Sequence, residues 1–387
     1  MFKDLFSGQS LNEKFLAAQG RPGGFDYMRL ILALLVICWH SVVTTYGDEF
    51  QDEVWGSGWR VAWAVILPMF FALSGFLVAG SLERSKTLVT FLGLRLLRIV
   101  PALAGEVTLS ALVLGPLVTA LPLRSYLSDS QFIVYFLNIL GDIHYKLPGV
   151  FLSNPQPGVV NGQLWTVPFE LYCYMVLTAL AITGVFKRRV WLLCFMGGFY
   201  ALQVANTIFH PRGFGPVGGY TLIMFFVAGL VLYQYRDKIA WNGALFCLAA
   251  GAFLALLTVK NGDRFAALPG AYVTVYLGLL NPPRDKVLLS GDYSYGLFLY
   301  GYPLQQALMS IGPEVRHWYL NLLLAIPCAA VVAASSWWLI EKPALSLRRY
   351  LKQFEEWYLF KRSLAKETVM EAAANEEAAA VEVPAPD

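Results

Sequence analysis

From Tyr27 to Ile340 the chain is a nearly unbroken succession of apolar runs, each about twenty residues long and separated by short polar or basic breaks. An α-helix needs about that many residues to cross a hydrocarbon core of about 30 Å. Inside that core only helices and closed barrels satisfy their own backbone hydrogen bonds. Composition agrees, since 57% of the 387 residues are hydrophobic, only 14% are charged, and the mean hydropathy is +0.55. The expected fold is all-α, a polytopic membrane helical bundle. Ten spans are read near residues 27–46, 59–81, 99–121, 164–186, 190–209, 217–235, 241–259, 265–281, 290–311 and 317–340. They make residues 27–343 one membrane domain, with no room for a separate soluble one.

Basic residues fall in alternate connections, and a basic excess marks cytoplasmic loops. Lys3, Lys14 and Arg21 precede the first span; Arg84, Lys86, Arg95 and Arg98 follow the second; Lys187, Arg188 and Arg189 follow the fourth. The pattern continues with Arg236 and Lys238, with Arg284 and Lys286, and with Lys342, Arg348 and Arg349. The first intervening loop instead carries Asp48, Glu49, Asp52 and Glu53. Both termini are expected to be cytoplasmic. The basic surplus is ordinary for such loops and implies no nucleic-acid partner.

Residues 1–26 form the N-terminal cytoplasmic segment, where Ser10 and Glu13 have capping-box spacing ahead of a short interfacial helix. The first apolar run is long enough to remain as an anchor, so no cleaved signal peptide is expected. Residues 344–387 read as a basic helix followed by a disordered tail, because six acidic residues and one Lys follow Arg362. The apolar segment at 130–143 is short for a crossing and would break the charge alternation. It is expected to be re-entrant or interfacial, within a long outer segment from Leu121 to Gln163. Cys38, Cys173, Cys194, Cys247 and Cys328 lie in apolar runs without a C-x-x-C and read as small buried hydrophobes. No metal site follows from them.

Ionisable groups inside the apolar runs carry the functional signal, because a charge near the bilayer centre costs about 2.5–3.5 kcal/mol on insertion scales. Arg29 and His40 lie on the first span, about 16 Å apart along one helix face. Glu170, in LWTVPFELYCYMV, enters from the outside to a depth similar to that of His40. A carboxylate beside an imidazole orients the ring as a general base requires. Arg95 and Arg98 share a helix face at the cytoplasmic boundary and suit phosphate oxygens in fork geometry. Spacing alone leaves plainer readings open: a packed His with a snorkelling Arg, a structural polar pair, and guanidiniums at lipid headgroups. Glu106, about two turns inside the third span, is expected to face the bundle, satisfied by Arg29 or a backbone group. Gln203, Asn206 and Asp292 read as helix–helix hydrogen-bonding or lip residues.

Taken together, FDYMRLILALLVICWH, FFALSGFLV, RLLRIVP, LWTVPFELYCY and SYGLFLYGYPL resemble, in order and spacing, the acyltransferase 3 family of integral membrane O-acyltransferases. The resemblance spans about Phe25 to Pro343. It implies a ten-helix domain that moves an acyl group, commonly acetyl, from cytosolic acyl-coenzyme A to a hydroxyl, often of an envelope or exported carbohydrate. The bacterial inner membrane is the implied location. It further implies His40 as the catalytic base supported by Glu170, and Arg95, Arg98 and Arg29 as donor-binding residues. Trp165, Tyr172, Tyr174 and Tyr295 are implied at the substrate, with Ser74 and Gly75 in close helix packing. Many members carry a second histidine where this chain has Gly301, so none is assigned here. Some relatives also append an esterase-like domain, which the residues after Pro343 are too few to supply. A secondary transporter with an intramembrane His/Glu/Arg site is the alternative, and an envelope scaffold a further one. Against the transporter stand the lack of an internal repeat and the gathering of polar residues in the first half of the chain.

Overall fold

The computed structural model describes residues 8–209, 213–286 and 290–381, and among them every regular element is helical. Of the expected terminal segments, residues 1–7, with Lys3, and 382–387 lie outside the described residues. In chain order the helices are α1 (Leu11–Ala17), α2 (Gly23–Gly56), α3 (Arg60–Arg84), α4 (Leu88–Val118), α5 (Gly162–Ile182) and α6 (Arg189–Phe209). They continue with α7 (Gly219–Gln234), α8 (Gly243–Thr258), α9 (Ala267–Gly278), α10 (Tyr293–Met309), α11 (Trp318–Ser336) and α12 (Arg348–Val381). Each apolar run singled out in the sequence holds one of α2 to α11. Among the described residues, six helices are long and apolar enough to cross a membrane: α2 to α6 and the one beginning at Trp318. The protein is an integral, multi-pass membrane protein.

Helix α1 begins with the expected capping box: Ser10 Oγ accepts from Glu13 N at 3.1 Å, and Glu13 Oε2 accepts from Ser10 N at 2.9 Å. Its buried Leu11 and Phe15 dock beneath the α7–α8 connection, where Leu11 N donates to Ile239 O. At the other end of the chain, α12 continues to Val381 where the composition led us to expect disorder. Ala and Glu, which dominate that stretch, are strong helix formers despite the net charge.

Helix α7 is the axis of the bundle. Every residue from Thr221 to Tyr233 is buried, as expected of a helix that is apolar on all faces. It meets α3 backbone to backbone, since a Cβ on Gly75 would strike the Phe226 carbonyl oxygen and one on Gly229 that of Ala72. A second contact joins α2, α10 and α11 through Ala33 and Ile37 against Leu297, Ala325, Ala329 and Ala333. Small residues at intervals of four let these backbones approach closely. Polar groups then fix the register: Gln305 Nε2 donates to Ile37 O at 2.8 Å and Ser41 Oγ at 2.6 Å, and Asn321 Nδ2 donates to Thr44 Oγ1 at 3.2 Å. These bonds hold α2 on both sides of His40.

Residues 119–161 form no helix of the length that α2 to α6 reach. Short helices at Leu123–Ser128, Ser130–Val134 and Tyr135–Leu140 fold over the C-terminal end of α4, where Tyr126 Oη donates to Ala111 O at 2.7 Å. The expectation for the cysteines needs correcting. Cys173 is buried and Cys38 half-buried, but Cys194, Cys247 and Cys328 are exposed on the perimeter helices α6, α8 and α11. An apolar run reads the same whether a position faces lipid or protein.

Candidate active site

Two adjoining cavities lie between α2, α3, α5 and α10. The first, about 160 Å³, is lined by Arg29, Arg95, Arg98, Glu170, Tyr174 and Tyr295, with Ser74 also on its wall. The second, about 520 Å³, is lined by His40, Trp39, Asp48, Gln163, Trp165 and Tyr302 among others. Leu67, Thr166 and Phe298 line both, so the two spaces share a wall.

The basic cavity is built where α2 begins, α4 passes and α10 begins. Asp292, just before α10, is its hub: Oδ2 accepts from Arg98 Nη2 at 2.5 Å and from Arg29 Nη1 at 3.4 Å, while Ser294 Oγ donates to Oδ1 at 2.8 Å. Arg98 also pairs with buried Glu341 at 3.5 Å and lies 5.6 Å from the centroid of the Tyr295 ring. Arg95, one turn away on α4, donates through Nη2 to Ser81 Oγ at 3.0 Å. Its Nε is buried and has no hydrogen-bond partner among the described residues. Three guanidiniums thus surround one small space, and one of them keeps a donor in reserve. That donor set suits phosphate oxygens.

His40 faces the larger cavity, with its ring edge-on to Tyr302 at 5.0 Å between centroids. Tyr302 Oη is bonded to Gln156 Oε1, and Gln156 Nε2 donates to Asp48 Oδ1 at 2.7 Å. Gly301, where a second histidine was not assigned, packs its Cα against Ile37 of α2 and leaves little room for a side chain.

The expected His40–Glu170 pair does not form, since no hydrogen bond or ion pair joins them among the described residues. Glu170 lies in the basic cavity and accepts from Tyr174 Oη at 2.6 Å. Thr166, one turn before it, is the residue of α5 that reaches both spaces. Depth read by counting residues misses this, because α5 opens as a 3₁₀ turn over Gly162–Thr166 and the wall lies between the two groups. Trp165 lines the His40 cavity, Tyr174 and Tyr295 line the basic one, and Tyr172 is exposed away from both.

Glu106 does face the bundle, but its partners are not Arg29 or a backbone group. Ser110 Oγ donates to it at 2.8 Å and Asn161 Nδ2 donates to both oxygens at 2.8 and 2.9 Å. Asn161 immediately precedes the turn that carries Gln163, Trp165 and Thr166, so this buried carboxyl anchors the wall between the cavities. Sequence reading also passed over Asp292 as a lip residue. Its place two residues before Ser294, at the start of the SYGLFLYGYPL run, was the available signal. Gln203 is buried and takes Arg264 Nη1 on its carbonyl at 2.8 Å, a structural contact remote from the site.

A helical bundle of this kind, holding a histidine and three arginines around adjoining cavities, defines a multi-pass membrane protein with an intramembrane polar site. The sequence model of a family described as an acyltransferase domain matches residues 23–341, and the chain belongs to this acyltransferase 3 family. It is an acyltransferase. Similar proteins include one named O-acetyl transferase from Shigella phage Sf6, 24% identical over 83% of this chain and 96% of its own length. Another, named Nodulation protein 10, from Rhizobium leguminosarum bv. viciae, is 29% identical over 86% of this chain and 96% of its own. No solved structure matches.

Proposed function

We propose that the protein is an O-acetyltransferase of the bacterial inner membrane. In this reading ten helices cross, both termini are cytoplasmic, and acetyl passes from cytosolic acetyl-coenzyme A to a hydroxyl of an envelope or exported carbohydrate. The observation that carries the reading is the shared wall of Leu67, Thr166 and Phe298, with three arginines on one side and His40 on the other. The name of the phage relative supports the choice of acetyl.

Coenzyme A phosphates bind at Arg95, Arg98 and Arg29, with the thioester directed past Thr166 toward His40. The His40 imidazole takes the proton of the acceptor hydroxyl as its oxygen attacks the thioester carbonyl. The tetrahedral adduct collapses, the C–S bond breaks, and the thiolate leaves with the proton returned from His40. The products are an O-acetyl ester and free coenzyme A. General base action of this type contributes about 10²–10⁴-fold to rate. Glu170 and Tyr174 border the thioester's path on the donor side, and Trp165 borders the acceptor.

The test is purified protein with radiolabelled acetyl-coenzyme A and a panel of envelope glycans. Label transfer to a glycan, with stoichiometric free thiol, is expected. Failure to bind coenzyme A, with transport of a solute by reconstituted vesicles, would overturn the reading.

A further inference from the structure

The second half of α2 has no part in the chemistry just described, yet it forms one side of the His40 cavity. At Gly47 the backbone enters the left-handed region, φ +79°, and helix geometry resumes at Asp48 in a new direction. A Cβ at Gly47 would meet the Pro155 carbonyl at 2.8 Å, so the kink is held against the neighbouring segment. Beyond it Asp48, Gln51 and Trp55 follow at intervals of three and four, one helix face, and all three line the cavity.

The interior of that cavity is amphipathic. Trp39 meets Trp55 at 5.0 Å and Trp63 at 5.2 Å between ring centroids. Gln163 is 1% exposed, and its Oε1 is a buried acceptor with no partner among the described residues. Its Nε2 is engaged by Leu299 O at 2.6 Å, which leaves Oε1 as the free end of a fixed amide. A buried acceptor left unpaired costs about 1–3 kcal/mol, so a donor from a ligand is what the position lacks. Among the described residues no Lys or Arg lines the cavity. Its charged edge is Asp48, with Glu49, Asp52 and Glu53 exposed beside it on the same arm.

We propose that this arm of α2, Asp48 to Gly56, is the acceptor-selecting element and admits an uncharged or amino-bearing sugar unit while rejecting carboxylate- or phosphate-bearing ones. Indole faces take the C–H face of a sugar ring, and Asp48, Gln51 and Gln163 Oε1 accept from its hydroxyls. A like charge brought to the Asp48 edge is disfavoured. This rests on the acyl-transfer reading for the identity of the guest as an acceptor, but sugar selection is measured separately from turnover.

The experiment is a tryptophan-fluorescence titration of the purified full-length protein with neutral hexose and N-acetylhexosamine trisaccharides and with their C6-carboxylate counterparts. Neutral sugars are expected to bind at least about tenfold more tightly, about 1.4 kcal/mol, and the gap should narrow as salt rises. Asp48→Asn keeps an oxygen for Gln156 and removes the charge, and it should shrink the gap in low salt. Equal affinity for the two kinds, binding of neither, or a gap untouched by both salt and Asp48→Asn overturns the proposal. Coenzyme A release in the transfer assay judges the acyl-transfer reading independently of these outcomes.

Discussion

Asn161 holds both carboxyl oxygens of Glu106 through one amide nitrogen, at 2.8 and 2.9 Å, inside the bundle. The pair joins α4 to the turn that opens α5, and that turn divides the basic cavity from the His40 cavity. Replacing Asn161 by Ala leaves Ser110 as the remaining donor to Glu106. The expected cost is about 1–3 kcal/mol, read as a lower thermal denaturation midpoint in detergent, together with a lower kcat. A midpoint equal to wild type would mean that the network does not support the wall.

Gly75 and Gly229 bring α3 and α7 into backbone contact. Gly75→Ala places a methyl against the Phe226 carbonyl and is expected to destabilise by about 1–3 kcal/mol, as overpacking does. Gly197→Ala, at a perimeter position with nothing within 4 Å of its Cβ, serves as the control. Equal denaturation midpoints for the two variants would argue against the close crossing.

Arg98 binds Asp292 and Glu341 through two different nitrogens, which a lysine ammonium cannot reproduce. Both Arg98→Ala and Arg98→Lys should weaken acetyl-coenzyme A binding by about tenfold or more, in line with about 1.5–3 kcal/mol for bonds to charged groups. Calorimetric titration is the measurement. Full affinity in Arg98→Lys would remove the fork geometry from the argument.

The His40 ring makes no hydrogen bond among the described residues, while the helix around it is tied down through the Ile37 carbonyl and the Ser41 and Thr44 hydroxyls. His40→Ala should therefore lower acetyl transfer by about 10²–10⁴-fold, with little change in the denaturation midpoint or in coenzyme A affinity. A residual rate within tenfold of wild type would take the general-base role away from this residue.

Several features could be read directly from the residues. Twenty-residue apolar runs placed the helices, because in lipid a helix must satisfy its own backbone. Ser10 and Glu13 marked the first helix by a local, three-residue rule. Arg29, His40, Arg95 and Arg98 stood out because charge inside apolar runs is costly. Asp292 and Glu341 did not, since a carboxylate at a helix end looks like any solvated one until its partners are known. The π-helical turn at Ser110–Leu114 and the kink at Gly47 likewise left no periodic trace.

Local chemistry in the chain was sufficient to fix a membrane bundle, its helices and the ionisable groups it carries inside, since hydropathy and backbone satisfaction act over one span at a time. Which of those groups meet was settled by packing between distant segments. Gln305 and Asn321 set the rotation of α2, Asn161 and Glu106 set the wall, and together they put His40 in one cavity and Glu170 in the other. Such contacts join residues up to hundreds of positions apart, and their geometry depends on crossing angles and side-chain volumes that no single helix encodes.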